Sequence, residues 1–373
     1  MKTVKIKGAP YEMGLEYGKQ CKKEIEDAIS AFHLIGALSL APGYREGHPG
    51  LRHTLWAFLT YRSKSDRLRS LAEKYEEVIR EYHPAMVEEM RGIAEGAQVN
   101  YKDIVYLNIF PEIIEGCSTW VACGNATRSG EPLLGMNTDA FKSVRKTQIV
   151  LFAEPEDGYK YIGTALAGVV TPHHGINQEG LAVAYMSLLA EKSEIRAVGI
   201  PAYVLESKIF SKCAEVEEAL REFEAVSLSS APSAIFLSDK ERTARVEMAL
   251  CEYDAKVIEN GAEGCCMRPS LEKIRKYEST FKIMPQMTVN AIPRTKRMEQ
   301  LLKRHYGNID VSVMKEIARD HGEGETKGKG ICQHSKFPIG AVTIGSFIAK
   351  PRDLRIWLCH GNPCEHEYEE FTL

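Results

Sequence analysis

The residues with the clearest chemical potential stand at Glu115-Gly116-Cys117-Ser118-Thr119-Trp120, where a cysteine follows a glycine and opens a strand-like stretch. A second such stretch, Leu133-Leu134-Gly135-Met136-Asn137-Thr138-Asp139, ends on Asn-x-Asp. A thiol near its free pKa is only partly thiolate at neutral pH, whereas an α-amine has a pKa of about 8 and takes the thiol proton over a short path. Cleavage between Gly116 and Cys117 would therefore place a nucleophile and its own base on one residue. Before cleavage the same thiol can attack the carbonyl of Gly116, where the missing side chain relieves crowding. Against this stands the ordinary behaviour of a cysteine in an apolar strand, which packs as a small hydrophobe. A different chemistry is open to Cys332-x-His334, Cys359-His360, Cys364 and His366, soft ligands that build a zinc site if their segments meet. Their spacing matches no paired Cys-x-x-Cys pattern, so no metal is assigned. His173 and His174 are neighbours whose side chains point apart on a strand.

Further segments follow in the order of one family. They are Gly8-Ala9-Pro10-Tyr11-Glu12-Met13-Gly14 with Tyr17-Gly18, then Glu89-Met90-Arg91-Gly92-Ile93-Ala94-Glu95-Gly96-Ala97, then Gly175-Ile176-Asn177-Gln178-Glu179-Gly180-Leu181. Arg294 with Arg297, Ile331-Cys332-Gln333-His334 and Gly361-Asn362-Pro363-Cys364 complete the set. Together with Gly116-Cys117, nearly the whole chain resembles the acyl-coenzyme A:6-aminopenicillanate acyltransferase family. These are self-cleaving cysteine peptidases related to the choloylglycine hydrolases within the N-terminal-nucleophile superfamily.

The resemblance implies self-cleavage at Gly116/Cys117 into chains of residues 1–116 and 117–373, and acyl transfer through an acyl-Cys117 intermediate. Asp139 matches the family aspartate that holds the new ammonium group, and Arg294 a family arginine that pairs with carboxylate. The competing readings are a turn-capping aspartate and a surface arginine at a helix start beside Pro293. Three departures stand out. Met136 occupies the strand position where choloylglycine hydrolases carry arginine, which turns the reading away from bile salts. Ser187 falls where those hydrolases have an oxyanion asparagine. Gly264-Cys265-Cys266-Met267 stands where a Thr-Asn-His-Phe segment belongs, leaving Asn290 as a replacement donor. The substrate implied is a small N-acyl amide or acyl thioester, with no cofactor. One alternative is a non-catalytic binder of acyl compounds on the same fold, against which the intact Gly116-Cys117 speaks; the other is a zinc-binding protein that uses the C-terminal cysteine and histidine cluster.

Positioning these residues calls for both helices and sheets. Apolar residues recur with helical period at Ile25, Ala28, Ile29 and Phe32 and again from Leu68 to Tyr82; His83-Pro84 breaks the pattern before a helix over 85–95. After Cys117 short strands are expected at 118–122, 132–137, 148–152, 161–166, 181–186, 234–237, 245–250, 341–348 and 355–359. Helices are expected at 202–212, 216–223, 295–304 and 311–320. Separate groups of strands and helices point to α+β layers, which the resemblance makes specific as a four-layer αββα sandwich of two stacked antiparallel sheets, with a helical N-terminal portion. The stretch 322–330 is rich in glycine and charge and is read as an exposed mobile loop. Residues 33–61 are expected among the loops that line a substrate pocket, while Trp56 and Phe58 within them could face core or ligand, with core the better expectation.

The 373 residues lack a Ser/Gly/Pro-rich linker, so one globular unit over 1–373 is expected. A formal charge of -3, with bases and acids interspersed, gives no ground for binding nucleic acid. The basic start from Met1 to Lys7 runs into Gly8-Ala9-Pro10 rather than an apolar run, and the apolar stretch from Leu34 to Ala41 is too short to span a bilayer. A cytoplasmic protein that does not enter membranes follows as the expectation, a homo-oligomer being compatible with it. In that compartment the ten cysteines are free thiols.

Overall fold

The computed structural model describes residues 1–39, 61–109, 116–190, 199–278, 285–324, 329–335 and 341–373, with side chains for all of these except 34–39, 61–71 and 285–290. Among the described residues the chain opens with strand β1 (Lys2–Gly8) and helices α1 (Pro10–Gln20), α2 (Lys22–Ser39), α3 (Tyr61–Tyr82), α4 (Pro84–Ala97) and α5 (Tyr101–Ile109). Strands β2 (Gly116–Gly124), β3 (Gly130–Phe141), β4 (Gln148–Pro155), β5 (Tyr161–Leu166), β6 (His174–Asn177) and β7 (Ala182–Ser187) follow. Helices α6 (Ala202–Lys212) and α7 (Val216–Glu224) lead to β8 (Ser230–Ser238), β9 (Thr243–Leu250), β10 (Glu252–Ile258) and β11 (Gly261–Cys265). The last part carries α8 (Glu272–Arg275), α9 (Pro285–Arg304), α10 (Val311–Arg319), β12 (Ala341–Lys350), β13 (Arg355–His360) and β14 (Glu369–Thr372). Among the described residues no helix is long and apolar enough to cross a membrane.

Two sheets form. One has eight strands in the order β1-β4-β5-β6-β7-β8-β9-β10, the other six in the order β11-β2-β3-β12-β13-β14. Three apolar clusters fill the spaces between four layers. Tyr17, Ile25, Met90 and Phe210 of the N-terminal and central helices pack with Leu151, Val183 and Val246 on one face of the larger sheet. Val150, Ala184 and Phe236 of the larger sheet meet Cys117, Val121, Met136 and Phe347 of the smaller one. Met298, Leu302, Met314 and Ile317 of α9 and α10 cover Trp120, Leu133 and Ile348 on the far side. The architecture is αββα.

This layering explains the sequence pattern of β2. It is covered by a sheet on one face and helices on the other, so residues 116–123 are all buried and no polar alternation survives. Trp120 is fully buried beneath α10, where its indole nitrogen donates to Met314 Sδ at 3.1 Å. The ring lies over Gly135 of β3, where a Cβ would come within 2.5 Å of it. Close approach also explains the glycines of the N-terminal motifs. Helices α1 and α4 cross backbone to backbone, and a Cβ on Gly92 would fall 2.2 Å from Tyr11 O.

Several expectations need correcting. The N-terminal portion is not wholly helical, because β1 adds to the larger sheet with Val4 and Ile6 buried and Lys5 exposed. It pairs in parallel with β4, so that sheet is not purely antiparallel. The intervening helices provide the long crossover that a parallel neighbour requires. Helix α9 starts at Pro285, ten residues before the expected Thr295, with Pro293 retained inside it. Packing of its apolar face against the smaller sheet outweighs the proline's local preference. The glycine-rich stretch from 322 is not simply an exposed loop. Residues 325–328 lie outside the described residues, but Gly330 is buried against Asp320 and His321. Most of 33–61, including Trp56 and Phe58, also lies outside the description, while His33 is buried with Nε2 2.8 Å from Asp103 Oδ1.

Candidate active site

Gly116 and Cys117 open β2 at an inner position of the smaller sheet, with β3 as one neighbour. Register pairs Gly116 with Asp139, Cys117 with Thr138 and Ser118 with Asn137. Alternation sends Cys117, Val121 and Cys123 into the space between the sheets, and Trp120 and Ala122 towards α9 and α10. Cys117 is fully buried. Thr119 and Thr138 share its face, and neither hydroxyl has a hydrogen-bond partner among the described residues. Met136 lies on that face too, in the apolar cluster.

On the opposite face a polar cluster forms at the same level. Arg294, from the middle of α9, donates from Nη2 to Asp139 Oδ2 at 2.6 Å, Ser118 Oγ at 2.6 Å and Ile331 O at 3.1 Å, and from Nε to Gly330 O at 3.1 Å. Thr343 of β12, in register with Asp139, donates its hydroxyl to Asp139 Oδ1 at 2.6 Å. The side chains of Arg294 and Asp139 are 3% and 1% exposed. Burial works against the guanidinium charge, but the facing Asp139 carboxylate together with the Cys266 and Cys117 thiols outweighs it, and the arginine is held above its ordinary pKa. The thiol of Cys266 joins this group. Burial raises its pKa, while Arg294 and Ser118 pull it back. Asp139 therefore sits within a strand rather than in a turn, and Arg294 is a buried ion-pair partner rather than a surface residue.

The other candidates separate from this group. Ser187 ends β7 in the larger sheet. Ala182, Ala184 and Met186 of that strand face Cys117, whereas Val183 and Tyr185 face the helices, so alternation puts Ser187 on the helix side. Asn290 lies within α9, not in a loop, and its side chain falls outside the described residues. Thr343 and Cys266, absent from the sequence-based set, carry no motif of their own; only strand register with Asp139 would have pointed to Thr343. His173 and His174 do point apart, His173 edge-on to Tyr203 and His174 against Phe347. Burial, then His173, lowers His174 to about 3 and keeps it neutral. A cleft of about 460 Å3 opens elsewhere, beside β11, lined by Arg245, Arg268, Arg275 and Lys303 among others, and does not include Cys117.

The C-terminal cysteines and histidines divide. Cys332, His334 and Cys364 come together with His321, which the sequence spacing did not include. Cys359, His360 and His366 are engaged elsewhere. The Cys359 thiol donates to His366 O at 3.6 Å, and the rings of His360 and His366 lie 3.2 Å from Arg145 O and 3.1 Å from Arg145 Nη2.

A protein-family model described as acyl-coenzyme A:6-aminopenicillanic acid acyl-transferase matches residues 126–365. The chain belongs to this family. The stretch that matches the acyl-transferase family holds Asp139 and Arg294 and begins after Cys117. Among curated proteins, the chain is 28% identical over 212 residues to the 40 kDa form of acyl-coenzyme A:6-aminopenicillanic-acid-acyltransferase of Emericella nidulans. That match covers 55% of this chain and 51% of the relative. It is 24% identical over 234 residues to protein dcd1A of Dictyostelium discoideum, covering 58% and 51% respectively. The chain thus spans about half the length of these relatives. A solved structure of a mutant conjugated bile acid hydrolase from Clostridium perfringens aligns with a TM-score of 0.43 at 13% identity, covering 69% of this chain and 97% of that one.

Proposed function

We propose that this acyl-transferase family member is a self-processing cysteine amidohydrolase or acyltransferase, a cytoplasmic enzyme that acts on linear amide or thioester bonds of a small N-acyl substrate. The observation that carries the reading is the buried Asp139–Arg294 pair, built around the first residues of β2: Asp139 is in register with Gly116, and Arg294 is bonded to Ser118. A charged pair buried beside the first residues of β2 costs desolvation, and a role at the Gly116/Cys117 bond gives it a reason to be there.

In the proposed sequence the Cys117 thiol adds to the Gly116 carbonyl, the peptide nitrogen leaves as the Cys117 amine, and water hydrolyses the resulting thioester. Residues 1–116 and 117–373 remain together as one folded domain through the apolar cluster that helices of the first share with strands of the second. The freed amine then accepts the thiol proton while Cys117 attacks a substrate carbonyl, and it returns that proton to the leaving amine. Asp139 fixes the ammonium, and Arg294 holds the Asp139 carboxylate in place. On the face shared with Cys117, the hydroxyls of Thr119 and Thr138 are the polar groups nearest in register for a developing oxyanion. Water or a second amine takes the acyl group from Cys117.

Intact mass and N-terminal sequencing of purified protein test the processing step. Two chains, the second beginning Cys-Ser-Thr-Trp, are expected. Turnover of N-acyl amides or acyl thioesters by a protein that stays a single uncut chain would refute this mechanism.

A further inference from the structure

Four metal-ligating side chains converge on the side of the molecule where α10 ends, outside the proposed catalytic group. His321 follows α10, Cys332 and His334 lie in the segment leading to β12, and Cys364 lies in the turn after β13. One ligand atom from each falls within 4.8 Å of all the others. Four of the separations are His321 Nε2 to His334 Nε2 at 3.1 Å, His334 Nε2 to Cys364 Sγ at 3.3 Å, Cys332 Sγ to Cys364 Sγ at 3.6 Å and Cys332 Sγ to His334 Nε2 at 3.6 Å.

These values can be compared with the edges of a tetrahedron. With Zn–S of about 2.3 Å and Zn–N of about 2.0–2.1 Å, tetrahedral corners lie about 3.8 Å apart for two sulfurs, about 3.5 Å for sulfur and nitrogen and about 3.3 Å for two nitrogens. Each of the four separations falls within roughly 0.3 Å of its edge. Two sulfurs and two imidazole nitrogens are the donor set of a closed zinc site rather than of magnesium or calcium, which take oxygens. Supporting contacts are in place. Asn362 Nδ2 lies 3.4 Å from Cys332 Sγ, as a donor to a thiolate would, and the other ring nitrogen of His334 lies 3.8 Å from Glu365 Oε1.

We propose that His321, Cys332, His334 and Cys364 bind one zinc ion as a closed structural site. The ion would tie three separate segments of chain together. Gln333, between two of the ligands, donates its backbone N–H to Thr343 Oγ1 at 2.8 Å, and that hydroxyl donates to Asp139 Oδ1. Gly330 and Ile331, just before Cys332, supply the carbonyls that hold Arg294. Zinc would thus fix the segment on which the Asp139–Arg294 pair rests. The proposal stands on the four side chains and does not depend on the acyl-transfer reading.

The test uses the full chain produced with zinc and purified under reducing conditions, followed by metal analysis and by cobalt replacement. One equivalent of zinc per chain is expected, together with the thiolate charge-transfer and ligand-field bands of tetrahedral cobalt in the replaced protein. C364S and H334A, both at exposed positions, should lose the metal and the charge-transfer intensity, while the exposed control C251S keeps both. Zinc should also raise the melting temperature of the parent chain and not that of C364S. Substoichiometric zinc in the parent, zinc content unchanged in C364S, or a Cys332–Cys364 disulfide in metal-free protein would each overturn the assignment.

Discussion

Replacing Asp139 by asparagine keeps the side chain's size and leaves an oxygen to accept from Thr343, but it removes the only carboxylate bonded to Arg294 among the described residues. The remaining acceptors around that guanidinium, Ser118 Oγ, Gly330 O and Ile331 O, are neutral. With the two side chains 1% and 3% exposed, solvent screens little of the loss. Breaking a buried pair by removing one partner typically costs about 3–5 kcal/mol. From sequence alone, Asp139 is a positional residue whose loss affects turnover more than stability; the structure adds a stability cost of that size. Urea unfolding in a Cys117→Ala background, where the chain stays whole, measures it, with coincident transitions by fluorescence and circular dichroism as the check on two-state behaviour. Arg294→Gln removes the other partner, and the double variant should be less destabilised than the two singles together by at least about 1 kcal/mol. Acyl transfer by Asp139→Asn in the parent background should fall by orders of magnitude. An Asp139→Asn protein within about 0.5 kcal/mol of its parent, or strict additivity in the double variant, would refute the reasoning.

Cys117→Ala should fold, remain uncut and show no amide turnover, whereas Cys117→Ser, with a hydroxyl that ionises far less readily, should cut slowly if at all and turn over amides weakly; gel analysis and product assay read both. Glu89, buried in α4, has its carboxyl pushed up to about 8 by burial, from an ordinary 4.5. A raised folded pKa gives stability that is complete below about 4.5 and lost as pH rises through 8, up to about 5 kcal/mol, so Glu89→Gln should flatten the pH dependence of unfolding in that window. Gly92→Ala would drive a Cβ to 2.2 Å from the Tyr11 carbonyl, a backbone atom that cannot swing aside. It should destabilise by about 1–3 kcal/mol or more in thermal or urea melts, and an unchanged melt would contradict the observed α1–α4 crossing.

Much of the fold was legible from short-range patterns. Strand β5 and helix α6 run over the expected residues, 161–166 and 202–212, because apolar period and turn residues are local properties of the chain. The resemblance supplied Cys117, Asp139 and Arg294, and from it came the αββα layering that periodicity did not give. What remained hidden had distant causes. In β1 the alternation of Val4 and Ile6 with lysines is a strand signal, but its partner β4 lies beyond helices α1 to α5 and the whole of β2 and β3. The continuation of α9 through Pro293 depends on the sheet beneath it, not on the residues beside the proline. Ser187 matched a family position in sequence yet falls on the helix side of β7, because one step along a strand reverses the face. His321 stands eleven positions before Cys332 and belongs to no recognisable spacing; it meets Cys332, His334 and Cys364 only because α10, the lead into β12 and the turn after β13 end at one place. Sequence fixes which residues share a turn of helix or a face of a strand. Which faces then meet is decided by the packing of layers, and the sites proposed for acyl transfer and for zinc both lie where those layers and their connections close on one another.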